Sequence, residues 1–143
     1  MKVTENISTS GQPSNEEIVS ISKSKFDAII NLGLGQESYS LNNEYDFITS
    51  LGIKYIHIPV EFDDPKFNDY NTFESEMKLL KTKNVFIHCT ENHRASVFLA
   101  LYLMREFDWS MSEASTMINK IWQPNECWNE FFFKISHSEL TRN

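Results

Sequence analysis

The chain has 143 residues, of which 41% are hydrophobic and 23% charged, and its net charge is −7. That length supports one domain, residues 1–143, with a proper core. The acidic balance argues against nucleic acid or an anionic membrane as the main partner, and no apolar run approaches the roughly 18 residues of a membrane span.

Residues 1–10 lack the apolar centre of a secretory leader, so a cytoplasmic protein is expected, or a periplasmic one if a leader was trimmed away. Two cysteines, Cys89 and Cys127, make neither a disulfide framework nor a metal cluster, which fits a reducing compartment.

Residues 5–12 read as a short first strand. Pro13 ends it, and Ser14 with Glu17 forms a capping box for a helix that carries Ile18 and Ile21. FDAIINL (26–32) is apolar on both faces and reads as a buried strand. Gly33 and Gly35 follow it as a turn. A dinucleotide loop is not expected there, because Ser38 stands where the third glycine of G-x-G-x-x-G belongs. Asn42 is expected to cap a short helix through Phe47 and Ile48.

IKYIHIPV (53–60) reads as a second buried strand, with His57 as a structural histidine. EFDDP (61–65) is a loop broken by Pro65, and the helix after it aligns Phe73, Met77 and Leu80 on one face. NVFIH (84–88) is the third buried strand. ASVFLALYLMREF (95–107) is apolar nearly all round, as a central helix should be. Ser110 and Glu113 form another capping box, for a helix with Met111, Ala114, Met117, Ile118 and Ile121. Pro124 interrupts the chain, and Asn125 is placed to cap a last helix with Trp128, Phe131, Phe132 and Ile135. The stripe from Trp122 to Phe133 reads as core packing, with a partner surface as the alternative. Cys127 reads as a thiol packed among Trp122, Trp128 and Phe131.

Strands alternating with helices predict an α/β fold: a three-layer sandwich with a mostly parallel sheet and helices on both faces. Ligands bind such sheets at the carboxyl ends of the strands. Cys89 sits at such an end, in HCTENHRAS (88–96). A helix N-terminus, a nest of loop amides and the Arg94 guanidinium each favour an anion there. Cys89 is therefore the candidate nucleophile. Thr90, Glu91, Asn92, His93 and Arg94 are the candidate phosphate cradle. Asn92 can supply a left-handed residue in the absence of a loop glycine. Glu91 should face outward, because an inward carboxylate would repel a dianion.

A phosphate ester also needs an acid for its leaving oxygen. Asp64, and after it Asp63, are the candidates on the EFDDP loop, which also carries Glu61. Ser96 can bond the thiolate or satisfy the backbone of its own helix. His88 either orients the loop or packs in the core. His57, His88, His93 and His137 lack metal-site spacing, and no metal or other cofactor is expected.

SGQP (10–13), AIINL (28–32), YIHIPVEFDDP (55–65), HCTENHRAS (88–96) and IWQPNECW (121–128) together resemble a bacterial family. It is the dual-specificity-phosphatase-like group also found fused as β-lactamase-hydrolase-like proteins. The resemblance spans nearly the whole chain. It implies a cysteine-phosphatase fold, a phosphorylated protein or small molecule as substrate, Cys89 as nucleophile, Arg94 as clamp and an EFDDP aspartate as acid. The chain departs from the wider superfamily by having C-x4-R rather than C-x5-R, and Ala95 in place of a hydroxyl residue. Four-residue loops also occur in rhodanese-like sulfurtransferases. Two further readings therefore stand beside the phosphatase: a sulfurtransferase using Cys89 and Arg94, and a non-catalytic phosphate- or sulfate-binding module.

Overall fold

The computed structural model describes residues 1–35 and 43–138. Ten elements follow in chain order: β1 (Ile7–Ser10), α1 (Asn15–Lys23), β2 (Ala28–Asn31), α2 (Glu44–Ser50), β3 (Lys54–His57), α3 (Phe67–Leu79), β4 (Val85–His88), α4 (His93–Phe107), α5 (Met111–Asn119) and α6 (Glu126–Ser136). The strands form a parallel sheet in the order β1-β4-β2-β3.

Side chains alternate across this sheet and divide the core in two. Ala28, Ile30, Val85 and Ile87 face the larger layer, where they meet residues of α3, α4, α5 and α6. Ile29 and Phe86 face the smaller layer, with Ile18 and Ile21 of α1 and Ile48 of α2. Helix α4 lies at the centre of the larger layer and is buried continuously from Arg94 to Leu103. Phe98 meets Tyr70, Phe73, Trp128 and Phe131 with ring centroids 5.5–6.1 Å apart.

Local chemistry sets the helix ends. In both capping boxes the serine oxygen accepts from the N3 amide and the N3 glutamate accepts in return, at Ser14/Glu17 and at Ser110/Glu113. Asn125 caps α6 through Trp128 N–H. The predicted cap at Asn42 and the Ser38 position lie outside the described residues. Asn43 precedes α2 in a left-handed conformation, with no side-chain cap bond.

Two expectations are corrected. β3 was expected to be buried, but it is an edge strand. Lys54 and His57 are exposed and Tyr55 and Ile56 are half-buried, because β3 has a neighbour on one side only. Its buried partners are Ile53, Ile58 and Val60, just outside the paired segment. Cys127 was expected to be packed, but it is exposed. It lies one residue before Trp128, and helical geometry turns only the tryptophan inward.

Phe98→Ala should remove the centre of the aromatic cluster and cost about 3–5 kcal/mol, measured by urea unfolding.

Candidate active site

β4 is an interior strand, between β1 and β2. The chain leaves it at Cys89 and enters α4 at His93, so four residues carry the reversal. Asn92 makes the turn with φ 68° and ψ 0°, in the left-handed region that asparagine tolerates better than most residues. Cys89 is 1% exposed. Its sulfur lies 3.5 Å from the Ala95 nitrogen, whose N–H belongs to the first turn of α4. The helix terminus thus faces the sulfur, as the sequence implied.

Residues 10–12, after β1, support the loop from behind. Gln12 N–H donates to the Thr90 carbonyl at 3.0 Å, and Cys89 N–H donates to the Ser10 carbonyl at 3.4 Å. Gly11 makes this approach possible. A Cβ at that position would stand 2.7 Å from the Thr90 oxygen and 3.3 Å from the Glu91 Cα. The glycine of SGQP is therefore a steric requirement of the loop.

Arg94 is 4% exposed. It donates to the Val60 carbonyl at 2.8 Å and to Thr90 Oγ1 at 3.0 Å, which fixes the plane of its guanidinium. Its Cζ lies 6.0 Å from the Phe62 ring centroid. Cys89, Thr90, Glu91, His93, Arg94 and Phe62 line one cleft of about 240 Å³. Asn92 contributes the turn rather than the lining.

The wall of the cleft is aromatic. His93 stacks on Trp122 at 4.1 Å with only 2° between the planes, and Phe62 lies 5.7 Å from Trp122. Burial lowers the pKa of the His93 imidazole, with Glu91 opposing the shift and Arg94 adding to it. Glu91 faces outward with its side chain 64% exposed, 3.9 Å from His93 Nδ1. The two tryptophans of IWQPNECW each donate a hydrogen bond beside this wall. Trp122 Nε1 donates to Ser96 Oγ at 3.1 Å, and Trp128 Nε1 donates to the Phe62 carbonyl at 2.7 Å. Ser96 Oγ in turn donates to the His93 carbonyl at 2.7 Å, so the hydroxyl serves the helix and Trp122.

The two aspartates are exposed and do not line this cleft. Asp64 pairs with Lys66 and lines a separate hollow with Cys127 and Lys134. The Asp63 backbone carbonyl faces the Cys127 thiol at 3.6 Å. Among the described residues, no group of three or more histidine, cysteine, aspartate or glutamate side chains is arranged to hold a metal ion.

A buried network behind the loop was not anticipated from the sequence. His88 is fully buried, and its Nε2 lies 2.9 Å from Glu44 Oε2. Glu44, at the first turn of α2, also accepts from Tyr55 OH at 2.6 Å, Asn31 Nδ2 at 3.2 Å and Gln12 Nε2 at 2.6 Å. Burial by itself pushes the Glu44 pKa up. Its bonds to His88, Tyr55 and Gln12 outweigh that and leave it below the ordinary carboxylate value. The same burial, with the Glu44 charge adjacent, raises the Tyr55 phenol. The sequence signal for Glu44 was weak: it is one acidic residue at a helix start, where acids are common anyway.

No protein-family model matches the sequence, and neither does any curated protein. Solved structures do match. A DUF442 protein from Shewanella putrefaciens CN-32, itself a candidate phosphatase, superposes with a TM-score of 0.86 at 26% identity, over 95% of this chain and 89% of its own. This chain has a DUF442-like phosphatase fold of the protein tyrosine phosphatase superfamily. Tk-PTP in its active form has a TM-score of 0.79 at 20% identity, covering 93% of this chain and 92% of its own. The core catalytic domain of the PP-IP phosphatase SIW14 from S. cerevisiae reaches 0.77 at 17%, covering 99% and 88%. The α/β sandwich expected from the sequence is therefore the observed fold.

Two outcomes test this geometry. Gly11→Ala should force the Thr90–Glu91 backbone outward, cost about 1–3 kcal/mol in urea unfolding and weaken binding of inorganic phosphate measured by calorimetry. Because the Glu44 pKa is lowered, its contribution to stability should be complete above the ordinary carboxylate range and lost as pH falls through its depressed value. Thermal melts between about pH 6 and pH 3 should show that loss in the wild type and less of it in Glu44→Gln.

Proposed function

We propose that this protein is a cysteine-dependent phosphatase acting on a phosphate monoester. The observation that carries this reading is the cleft itself. Cys89 and Arg94 share it at the carboxyl edge of a parallel sheet, with the α4 N-terminus directed at the sulfur. The resemblance of the sequence and the fold of the superposed structures support it.

In the first step the Cys89 thiolate attacks phosphorus. The S–P bond forms as the P–O ester bond breaks, and the leaving oxygen takes a proton from an acid. In the second step water attacks the phosphocysteine and gives its proton to the carboxylate left by the first step, the S–P bond breaks to return the thiolate, and inorganic phosphate leaves. Arg94 and the amides of Thr90 through His93 hold the non-bridging oxygens as charge shifts among them. The aromatic wall of Phe62 and His93 suits an apolar or aromatic leaving group. No metal is required.

The acid is assigned to the EFDDP loop, to Asp64 or Asp63. Neither carboxylate lines the cleft here, so delivery requires the loop to swing over it. The held points are the Phe62 carbonyl at Trp128, the Asp63 carbonyl at Cys127 and the Asp64 pair with Lys66. The four-residue loop favours a second reading, sulfur transfer through a persulfide on Cys89, for which the aspartates are dispensable.

p-Nitrophenyl phosphate hydrolysis and thiosulfate-to-cyanide sulfur transfer should be measured side by side. Cys89→Ser should abolish phosphate release, and Asp63→Asn with Asp64→Asn should reduce it by about a hundredfold or more. Sulfur transfer that survives the aspartate changes and disappears in Cys89→Ser would establish the second reading. Phosphate binding that survives Cys89→Ser, without turnover by the wild type, would make the cleft a binding module.

A further inference from the structure

We propose that Glu44 is a positioning residue for Cys89, acting through His88. The inference rests on Cys89 being a nucleophile, and not on phosphorus being what it attacks.

His88 has two ring nitrogens and a fixed partner at each. Nε2 faces Glu44 Oε2 at 2.9 Å, and Nδ1 faces the Cys89 carbonyl at 3.3 Å. A carbonyl oxygen can only accept a hydrogen bond, and so can an ionised carboxylate. Both contacts are hydrogen bonds together only when both nitrogens carry protons. The geometry therefore selects an imidazolium, fully buried and one residue from the nucleophile. Glu44 is the counter-charge that makes such a cation tolerable in the interior.

The surroundings are built to keep Glu44 ionised. Four donors from four parts of the chain converge on it: Gln12 after β1, Asn31 of β2, Tyr55 of β3 and His88 of β4. Gln12 also holds the Thr90 carbonyl through its backbone amide, so the same residue touches the carboxylate and the loop. Charge reaches Cys89 from behind through His88 and from in front through Arg94.

The titratable groups of the network are Glu44 of α2, Tyr55 of β3, and His88 and Cys89 at the end of β4. Gln12 and Asn31 are neutral. Arg94 and Glu91 are the charged groups on the cleft side, and His93 titrates there. Glu44→Gln keeps the shape of the side chain and removes its charge. The imidazolium then loses its counter-ion and reverts to a neutral ring, and the thiolate loses a positive neighbour.

The test reads the thiol directly. In a Cys127→Ser background Cys89 is the sole cysteine. Its alkylation by iodoacetamide should be followed across pH, with thermal melting of each variant alongside. Glu44→Gln should move the midpoint of alkylation upward by about one pH unit or more. Tyr55→Phe, which removes one donor and leaves the charges, should move it in the same direction by less.

A purely structural role for Glu44 predicts lower melting temperatures with an unchanged midpoint. That result, in folded Glu44→Gln or, if Glu44→Gln does not fold, in Tyr55→Phe, would overturn the proposal. Because no substrate is involved, a shifted midpoint without phosphatase activity would reject the proposed reaction and keep this inference. Activity with an unshifted midpoint would do the reverse.

Discussion

The chain must pass from a buried parallel strand into a buried helix within the four residues Cys89 to Asn92. Most of the site follows from that constraint. A reversal so short needs a left-handed residue, which Asn92 supplies. It also brings the Ala95 amide, in the first turn of α4, against the sulfur at the strand end. Backbone groups in so tight a turn cannot all point inward, so the Thr90 carbonyl is taken up from outside by Gln12. That bond in turn requires Gly11, because a side chain there would occupy the space of the loop. The buried thiol, the helix amide that faces it and the glycine buttress are consequences of one turn.

The sheet order supplies the rest. An interior β4 has neighbours on both sides, and each contributes from its own carboxyl end, to the loop or to the buried network behind it. β1 brings residues 10–12 and β2 brings Asn31. β3 is an edge strand, yet its continuation carries Val60 and Phe62 to Arg94. The polar residues of this arrangement are buried in a layer that is otherwise apolar. Their hydrogen bonds must therefore be nearly complete, and at Glu44 they are.

Much of this was legible because local chemistry and tertiary structure agree. Ser14 with Glu17, Ser110 with Glu113, and Asn125 behave as their spacing requires, since caps are satisfied within four residues of chain. β2 and β4 were readable because strands covered on both faces are continuously apolar. β3 was misjudged because IKYIHIPV carries the same composition at an edge, and hydrophobicity does not encode neighbour count. Cys127 was misjudged because its nearness to tryptophans in sequence differs from nearness on a helix surface. Residues 89–94 stand out by their own pattern, an apolar strand that ends in cysteine with arginine at a helix start. Gly11 stands out in the sequence only within SGQP, and Glu44 does not stand out at all. Their partners lie 79 and 44 residues further along the chain, at Thr90 and His88. No local pattern reports contacts of that range.

Trp122 and Trp128 belong to the last fifth of the chain, yet they fasten the surroundings of a cleft whose cysteine lies at residue 89. During synthesis the sheet, the loop and α4 emerge first. The Phe62 carbonyl and the Ser96 hydroxyl then wait for indole partners that have not yet been made. A nascent chain would hold Cys89 beside an unfinished wall until α6 docks. The order of translation thus separates making the thiol from enclosing it.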